Sequence, residues 1–393
     1  MAKIKFALRH NLIYPMQYIL WSFSRNILSM VTKYLFDFGD SLFHNPIMYL
    51  GELLGGGIFY LYQKKYTTKK EEEKVKYFMS VQLITNNETD DDYFIPLDNN
   101  KKILLLMFMS SYFDGFQFLL YNNVLPKFKG MSPSLNTRLN GISILIASLF
   151  YVFILRLPIF KHQKFSLLII GICLIVIIIF EFIFHIINGL ISYDDMHIAF
   201  FLSIFVKIFD SFNDIIEKYL FEFDYMNPFL VLMYEGLFGF LFSFFYFIYP
   251  EYMKDVKRVY EAEKGSPGRL ALFIFLLFLY IIFSAGKNVF RVVTNKIYSP
   301  MTKSLMDYIL TPIYLFIYCF NDNDFRTNGE LNIPYFLINL ILSFIISFFG
   351  CVFNEFIILL FCGLHIDTHN QISERASSSL ETEMIKMDDE VVE

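Results

Sequence analysis

The chain has 393 residues, of which 55% are hydrophobic and only 18% are charged. Soluble domains carry about 45–50% apolar and about 25% charged residues, so the composition excludes an ordinary soluble protein. The mean hydropathy of +0.47 indicates a polytopic membrane protein, and the formal net charge of −5 gives no basic surface for nucleic acid.

Ten apolar segments are long enough to cross a bilayer, which requires about 20 residues per helix. The predicted spans are 17–36, 44–62, 103–121, 135–155, 165–186, 197–217, 229–249, 270–294, 302–320 and 335–360. Lys and Arg are concentrated in the connections on the side of the N-terminus, so we predict that both termini are cytosolic.

The spans divide the chain into four predicted parts. A cytosolic N-terminal segment (1–16) precedes a first group of five spans (17–186). A second group of five spans (197–360) is followed by a cytosolic tail (361–393). The tail is rich in Ser and Glu and has no hydrophobic periodicity, which predicts disorder.

Spans one and six end in a similar pattern. The run KYLFDF begins at Lys33 and the run KYLFEF begins at Lys218, and each is followed by an Asn-Pro pair. The next span of each half then carries a Glu beside a Gly, at Glu52 and Glu235. Because five is an odd number of spans, the second copy of the repeat enters the membrane from the opposite side and is inverted. Inverted repeats of this kind are typical of secondary transporters. Chance similarity in a Phe-rich sequence is the alternative.

The same residues resemble the drug/metabolite transporter superfamily. The runs RNIL from Arg25, YLGE from Tyr49 and EGLFGF from Glu235 carry the resemblance. The sequence is most similar to the solute carrier 35 family, F branch, sixth-member type. This resemblance implies a ten-helix carrier with cytosolic termini that moves small solutes across endomembranes.

Ionisable side chains inside the predicted spans are candidates for a central cavity. A charge at the bilayer centre is costly and should face the bundle interior or water. In span six, Lys207, Asp210, Asp214 and Glu217 fall on one helical face at about 100° per residue. The repeat maps Asp210 onto Arg25 of span one. We predict that both faces line the cavity, with structural ion pairing between packed helices as the alternative.

Other charged and polar residues complete this predicted site. Glu52 and Glu235 could bind a proton or make a hydrogen bond to a neighbouring helix, and Arg138 and Lys303 could bind an anion or neutralise carboxylates. The full set of predicted cavity residues is Arg25, Lys33, Glu52, Asp114, Gln117, Arg138, Asp210, Asp214, Glu217, Glu235, Lys287, Arg291, Lys303 and Asp307.

These patterns predict an all-α secondary transporter that moves a small polar or anionic solute across an endomembrane by alternating access. A transport-inactive membrane scaffold or regulator is the alternative. We expect no enzyme, catalytic residue, cofactor or metal site, because no catalytic or metal-ligand spacing is present. The expected partners are a small-molecule solute and membrane lipid, and a homodimer is left open. We expect the lysosomal, vacuolar or Golgi membrane, with the mitochondrial membrane as the alternative.

Overall fold

The computed structural model describes residues 13–36, 41–66, 100–120, 137–157, 159–187, 193–247, 250–321, 325–327 and 330–357. The regular secondary structure of these residues is helical apart from one short β-hairpin. Residues 1–12 of the predicted N-terminal segment and the whole predicted tail lie outside the described residues.

The described helices follow the predicted spans with several differences in their ends. The elements are α1 (Ile13–Phe36), α2 (Ser41–Tyr66), α3 (Asn100–Leu119), α4 (Gly141–Phe153), α5 (Lys161–Ile187), α6 (Tyr193–Glu222), α7 (Pro228–Phe247), α8 (Pro250–Glu263), α9 (Pro267–Ile297), α10 (Pro300–Tyr308), α11 (Thr311–Asn321), β1 (Arg326–Thr327), β2 (Glu330–Leu331) and α12 (Ile333–Phe353).

Three of the described helices are long and apolar enough to cross a membrane. They contain the segments Lys161–Phe184, Pro267–Ile297 and Ile333–Phe353, which coincide with the fifth, eighth and tenth predicted spans. The helical class and these three candidate spans are therefore confirmed. The other seven spans and the inverted repeat stay predictions.

Exposed apolar stripes run along two of the candidate spans. On α5 the stripe consists of Leu168, Ile172, Ile175, Ile179 and Ile183, and on α12 it consists of Ile333, Leu337, Ile341, Phe344 and Phe348. The spacing of three or four residues places each set on one helical face. Contiguous exposed apolar surface of this kind marks contact with a membrane or another apolar partner.

The ninth predicted span (302–320) is divided into α10 and α11 by a turn at residues 309–310. Pro312 gives the physical reason, since proline has no N–H and its ring clashes with the carbonyl four residues earlier in a helix. That earlier residue is Tyr308, where α10 ends. A continuous helix over this segment was therefore a wrong expectation.

The chain divides into two compact units, and each takes segments from both predicted halves. The first unit contains Tyr14–Pro126 and Phe212–Ser299. The second unit contains Met1–Ile13, Lys127–Ser211 and Pro300–Glu393. The long helix α6 contributes its first part to the second unit and its last part to the first.

In the first unit, α2 packs closely against α7 and α9, and α3 packs against α7. Glycine permits this approach, because a Cβ added at Gly236 of α7 would lie 2.3 Å from the backbone nitrogen of Leu53 in α2. A Cβ at Gly56 of α2 would lie 2.6 Å from the backbone nitrogen of Met233 in α7. The backbones of α2 and α7 therefore approach each other closely at two glycines, one on each helix.

The amphipathic helix α8 lies in the connection between the seventh and eighth predicted spans. Its Val259 is buried against apolar residues of α1 and α9, including Phe36 and Phe273. The neighbouring residues Lys257, Arg258 and Tyr260 are exposed. One apolar face thus attaches α8 to the first unit.

In the second unit, α5 packs against α12, and α4 packs against α10. The β-hairpin precedes α12, and the side chain of Asn332 accepts a hydrogen bond from the Tyr335 backbone N–H at 3.1 Å, which caps the helix. Tyr335 also stacks on Phe184 of α5, with ring centroids 3.9 Å apart. These contacts fix the start of α12 against the end of α5.

We predict that Gly236→Ala weakens the contact between α2 and α7. The added methyl cannot fit 2.3 Å from backbone, so the helices must separate, at a cost of about 1–3 kcal/mol. The measurement is the thermal unfolding midpoint of the purified protein in detergent. Gly268→Ala is the matched control, because a Cβ there meets nothing within 4 Å. Equal midpoints for the two variants would contradict the prediction.

Candidate functional site

A buried arginine of α9 is the centre of the charged cluster in the first unit. The Arg291 guanidinium forms an ion pair with Glu217 of α6 through Nη1, and its Nη2 lies 3.1 Å from Glu235 Oε2 of α7. Asp214 Oδ1 lies 3.9 Å from Nη1. All four side chains are buried, so one guanidinium joins three helices by charge-assisted hydrogen bonds.

The end of α6 is fixed to the end of α9 by further hydrogen bonds. The Asn295 side-chain amide donates to Glu217 Oε2 at 2.8 Å and to the Asp214 carbonyl at 3.0 Å. Lys218 Nζ donates to the backbone carbonyls of Asn295, Lys296 and Tyr298 at 3.2, 3.0 and 3.1 Å. A lysine in this place satisfies carbonyls that the C-terminus of a helix leaves free.

Helix α3 contributes two adjacent serines to the same cluster. Ser110 Oγ lies 2.5 Å from Glu235 Oε1, and it also makes a short hydrogen bond with Asn213 Oδ1 of α6. Ser111 Oγ lies 3.1 Å from the Glu235 backbone carbonyl. The serines thus hold α7 against α3 while leaving their polar atoms next to the charged groups.

These groups surround a small cavity within the first unit, and its empty space of about 170 Å³ includes space that is open to solvent. The lining side chains come from α2, α3, α6, α7 and α9. They are Tyr49, Glu52, Ser110, Ser111, Asp114, Asn213, Glu235 and Arg291. Most of this space is open to solvent or too narrow for a water molecule, so the cavity suits about one water molecule or one small polar group.

Two further carboxyl groups complete the acidic lining. The Tyr49 hydroxyl donates to Asp114 Oδ2 at 2.8 Å, which joins α2 to α3. Glu52 of α2 is only 4% exposed and also lines the cavity. The cluster therefore brings together five carboxyl groups and one guanidinium. Within the described ranges, no three His, Cys, Asp or Glu side chains are grouped closely enough to hold a metal ion.

The second unit contains a separate buried arginine. Arg138 is fully buried, and its Nη1 lies 2.6 Å from Glu181 Oε2, 2.8 Å from Asn339 Oδ1 and 3.3 Å from the Tyr335 hydroxyl. Its guanidinium carbon also lies 5.3 Å from the centre of the Phe325 ring. The dense set of partners indicates a structural ion pair that joins the ends of α5 and α12.

A second polar cluster of this unit lies on α6 and α10. Lys303 Nζ lies 3.0 Å from Asp210 Oδ1 and 3.6 Å from Asp307 Oδ2. Lys207 makes a short hydrogen bond with the side chain of Asn140. Two ammonium groups and two carboxylates balance one another here, so the cluster has no net formal charge.

The predicted cavity residues are therefore distributed over several places. Six of them form the cluster of the first unit, namely Glu52, Asp114, Asp214, Glu217, Glu235 and Arg291. Four belong to the second unit, namely Arg138, Asp210, Lys303 and Asp307. The predicted face of span six is thus divided, because Asp210 lies in one unit and Asp214 and Glu217 lie in the other.

The remaining four predicted residues do not line this cavity. Lys33 is exposed, and Arg25 Nη1 lies 3.8 Å from the sulfur of Met48. Lys287 Nζ lies 5.7 Å from the centre of the Tyr18 ring. Gln117 is half-buried on α3, three residues beyond Asp114.

Sequence reasoning missed several neutral members of the site. Tyr49, Ser110, Ser111 and Asn213 all line the cavity. Asn213 stands directly before Asp214, and two adjacent serines in an apolar helix were a visible signal. Neutral hydroxyl and amide groups are common in packed membrane helices, however, so their type alone does not mark a site.

The chain matches no model of a known protein family, and no curated protein is similar to it in sequence.

We predict that Arg138→Met destabilises the protein by about 3–5 kcal/mol, because it leaves the buried Glu181 carboxylate without its cation. The double variant Arg138→Met/Glu181→Leu should recover part of this loss, since it removes both charges. Thermal unfolding of the purified protein measures both effects. Lys257→Met is the control, because it removes a cationic side chain that is exposed on α8. A double variant no more stable than Arg138→Met would contradict the ion-pair interpretation.

Proposed function

We propose that the chain is a secondary transporter that moves a small polar solute across an endomembrane by alternating access. The observation that carries this proposal is the charged cavity of the first unit, to which the candidate span α9 contributes Arg291. Polar and ionisable groups within membrane helices are expensive and usually belong to a substrate or ion pathway. Six such groups meet in this unit, and all of them except the half-buried Asp114 are buried.

The packing within each unit supports the proposed inverted repeat. The contacts α2 with α7, α4 with α10 and α5 with α12 join predicted spans two with seven, four with nine and five with ten. These are the pairs that occupy equivalent places in the two halves. The contact of α3 with α7 also has its counterpart in the contact of α9 with α2. A pseudo-two-fold relation between the halves accounts for all of these pairs.

The resemblance of the sequence to the drug/metabolite transporter superfamily also supports the proposal. We propose ten spans with cytosolic termini and a carrier most similar to the solute carrier 35 family, F branch. The proposed compartment is the lysosomal, vacuolar or Golgi membrane, with the mitochondrial membrane as the alternative. Transport does not require a catalytic residue, so the proposed protein is not an enzyme.

A transport-inactive scaffold or regulator is the second candidate, and one observation favours it. Arg291 is already paired with Glu217 and Glu235, and the cavity is small. Helices that only need to pack could use the same ion pairs. Carriers in a closed state also pair their charged residues, so solute flux must separate the two functions.

Uptake into proteoliposomes tests the proposal. The purified full chain is reconstituted and assayed with four labelled probes: inorganic phosphate, a nucleotide sugar, glutamate and methylammonium. We expect saturable uptake of at least one probe. Glu235→Gln should reduce this uptake about tenfold or more, because it removes a charge-assisted contact with Arg291 while keeping the size of the side chain.

Lys257→Met serves as the control for uptake, because Lys257 is exposed on α8 and lies outside the cavity lining. Its uptake should equal that of the unaltered protein. Size-exclusion chromatography shows whether each variant is folded. Folded protein that takes up none of the four probes in a saturable manner would contradict the carrier function and favour the scaffold.

A further inference from the structure

One carboxylate of the cavity differs from its neighbours. Glu217 and Glu235 are paired with Arg291, and Asp114 accepts the Tyr49 hydroxyl. Glu52 also lines the cavity and is only 4% exposed. Unlike the other carboxylates, it makes no hydrogen bond or ion pair with any residue that the structure describes. A buried carboxylate without a partner is strongly disfavoured, so Glu52 either takes up a proton or is paired with a cation that a ligand supplies.

The charges around the cavity determine the sign of that ligand. Three lining residues are acidic, namely Glu52, Asp114 and Glu235, and one is basic. The basic residue, Arg291, already contacts two carboxylates. An anionic solute would therefore be repelled by the excess of acidic groups in the lining, whereas a cation would be attracted to them.

Lys287 is the other cation near this part of α9. Its ammonium group lies over the Tyr18 ring, 5.7 Å from the ring centre, and Lys287 does not line the cavity. A cation–π contact of this kind holds the ammonium beside the ring. Arg291 is therefore the one basic side chain in the described lining of the cavity.

The spacing of the carboxylates favours an ammonium group over a metal ion. Hard metal ions need several oxygen ligands at about 2.0–2.6 Å, and no group of three acidic, His or Cys side chains meets this demand among the residues described. An ammonium N–H reaches a carboxylate oxygen at about 2.7–2.9 Å and donates in several directions. The oxygens of Ser110 and Asn213 in the same lining provide further acceptors.

We propose that the cavity of the first unit binds the protonated amine of a small organic solute, with Glu52 as its principal ion-pair partner. This inference rests on the proposed carrier function and specifies the chemical class of its solute. The sequence-based expectation was a polar or anionic solute, whereas this proposal specifies a polar solute that carries a positive charge. The small volume of the cavity suits the amine group alone, with the rest of the solute outside it.

Binding of methylammonium chloride to the purified full chain in detergent tests the proposal without relying on transport. The thermal unfolding midpoint is followed against concentration, with sodium chloride and sodium methyl phosphate as probes at the same ionic strength. We expect methylammonium to raise the midpoint in a saturable manner, because a compound that binds only the folded state stabilises it. The two other salts should have no such effect.

Variants assign the binding to Glu52. Glu52→Gln should weaken methylammonium binding about tenfold or more, because it removes the charge of the principal partner. Glu52→Asp, which keeps the charge, should retain part of the binding and shows that the site is intact. Glu261→Gln is the matched control on the exposed face of α8 and should bind as the unaltered protein does. Equal binding by Glu52→Gln, or saturable stabilisation by sodium or methyl phosphate instead, would overturn the proposal.

The uptake assay separates this inference from the carrier function. Saturable uptake of phosphate, nucleotide sugar or glutamate without any methylammonium binding would overturn the amine site and leave the carrier function standing. Methylammonium binding that depends on Glu52 but is accompanied by no uptake of any probe would support the amine site and contradict the carrier function.

Discussion

The first unit depends on the need to neutralise one buried guanidinium. Arg291 lies in α9, a helix long and apolar enough to cross a membrane, where an unpaired charge would be strongly unfavourable. Its two carboxylate partners come from α6 and α7, so the pairing requires these three helices to meet at one place. The planar guanidinium also fixes the direction from which each carboxylate approaches. Packing and electrostatics are therefore coupled in this unit.

Glycine makes this meeting sterically possible. The close approach of α2 to α7 at Gly56 and Gly236 brings the backbone of α2 next to the charged cluster. Small residues have this effect in membrane helices, where van der Waals packing rather than the hydrophobic effect holds helices together. The same approach places Tyr49 and Glu52 at the cavity. A contact that concerns only the backbone thus determines which side chains reach the site.

The two buried arginines illustrate how neighbours decide the role of a residue. Arg138 is enclosed by a carboxylate, an amide, a phenol and an aromatic ring, and this set leaves it no open face. Arg291 belongs to a cluster in which carboxylates are in excess and a cavity remains. The first arrangement stabilises the fold of the second unit, whereas the second provides a polar site. Both residues are buried arginines, so their partners distinguish them.

The sequence by itself determined the helical class, the three candidate spans and the residues that carry charge within helices. These properties follow from local hydropathy and from a helical period that needs no knowledge of distant residues. Pro312 was also visible, but its effect of ending α10 at Tyr308 was not foreseen, since proline kinks some helices and ends others. Only the tertiary structure decided that Arg291 pairs with Glu217 and Glu235, that Arg138 is enclosed, and that Glu52 faces a cavity. These pairings join residues far apart in the chain, and their geometry depends on which helices pack together and how closely.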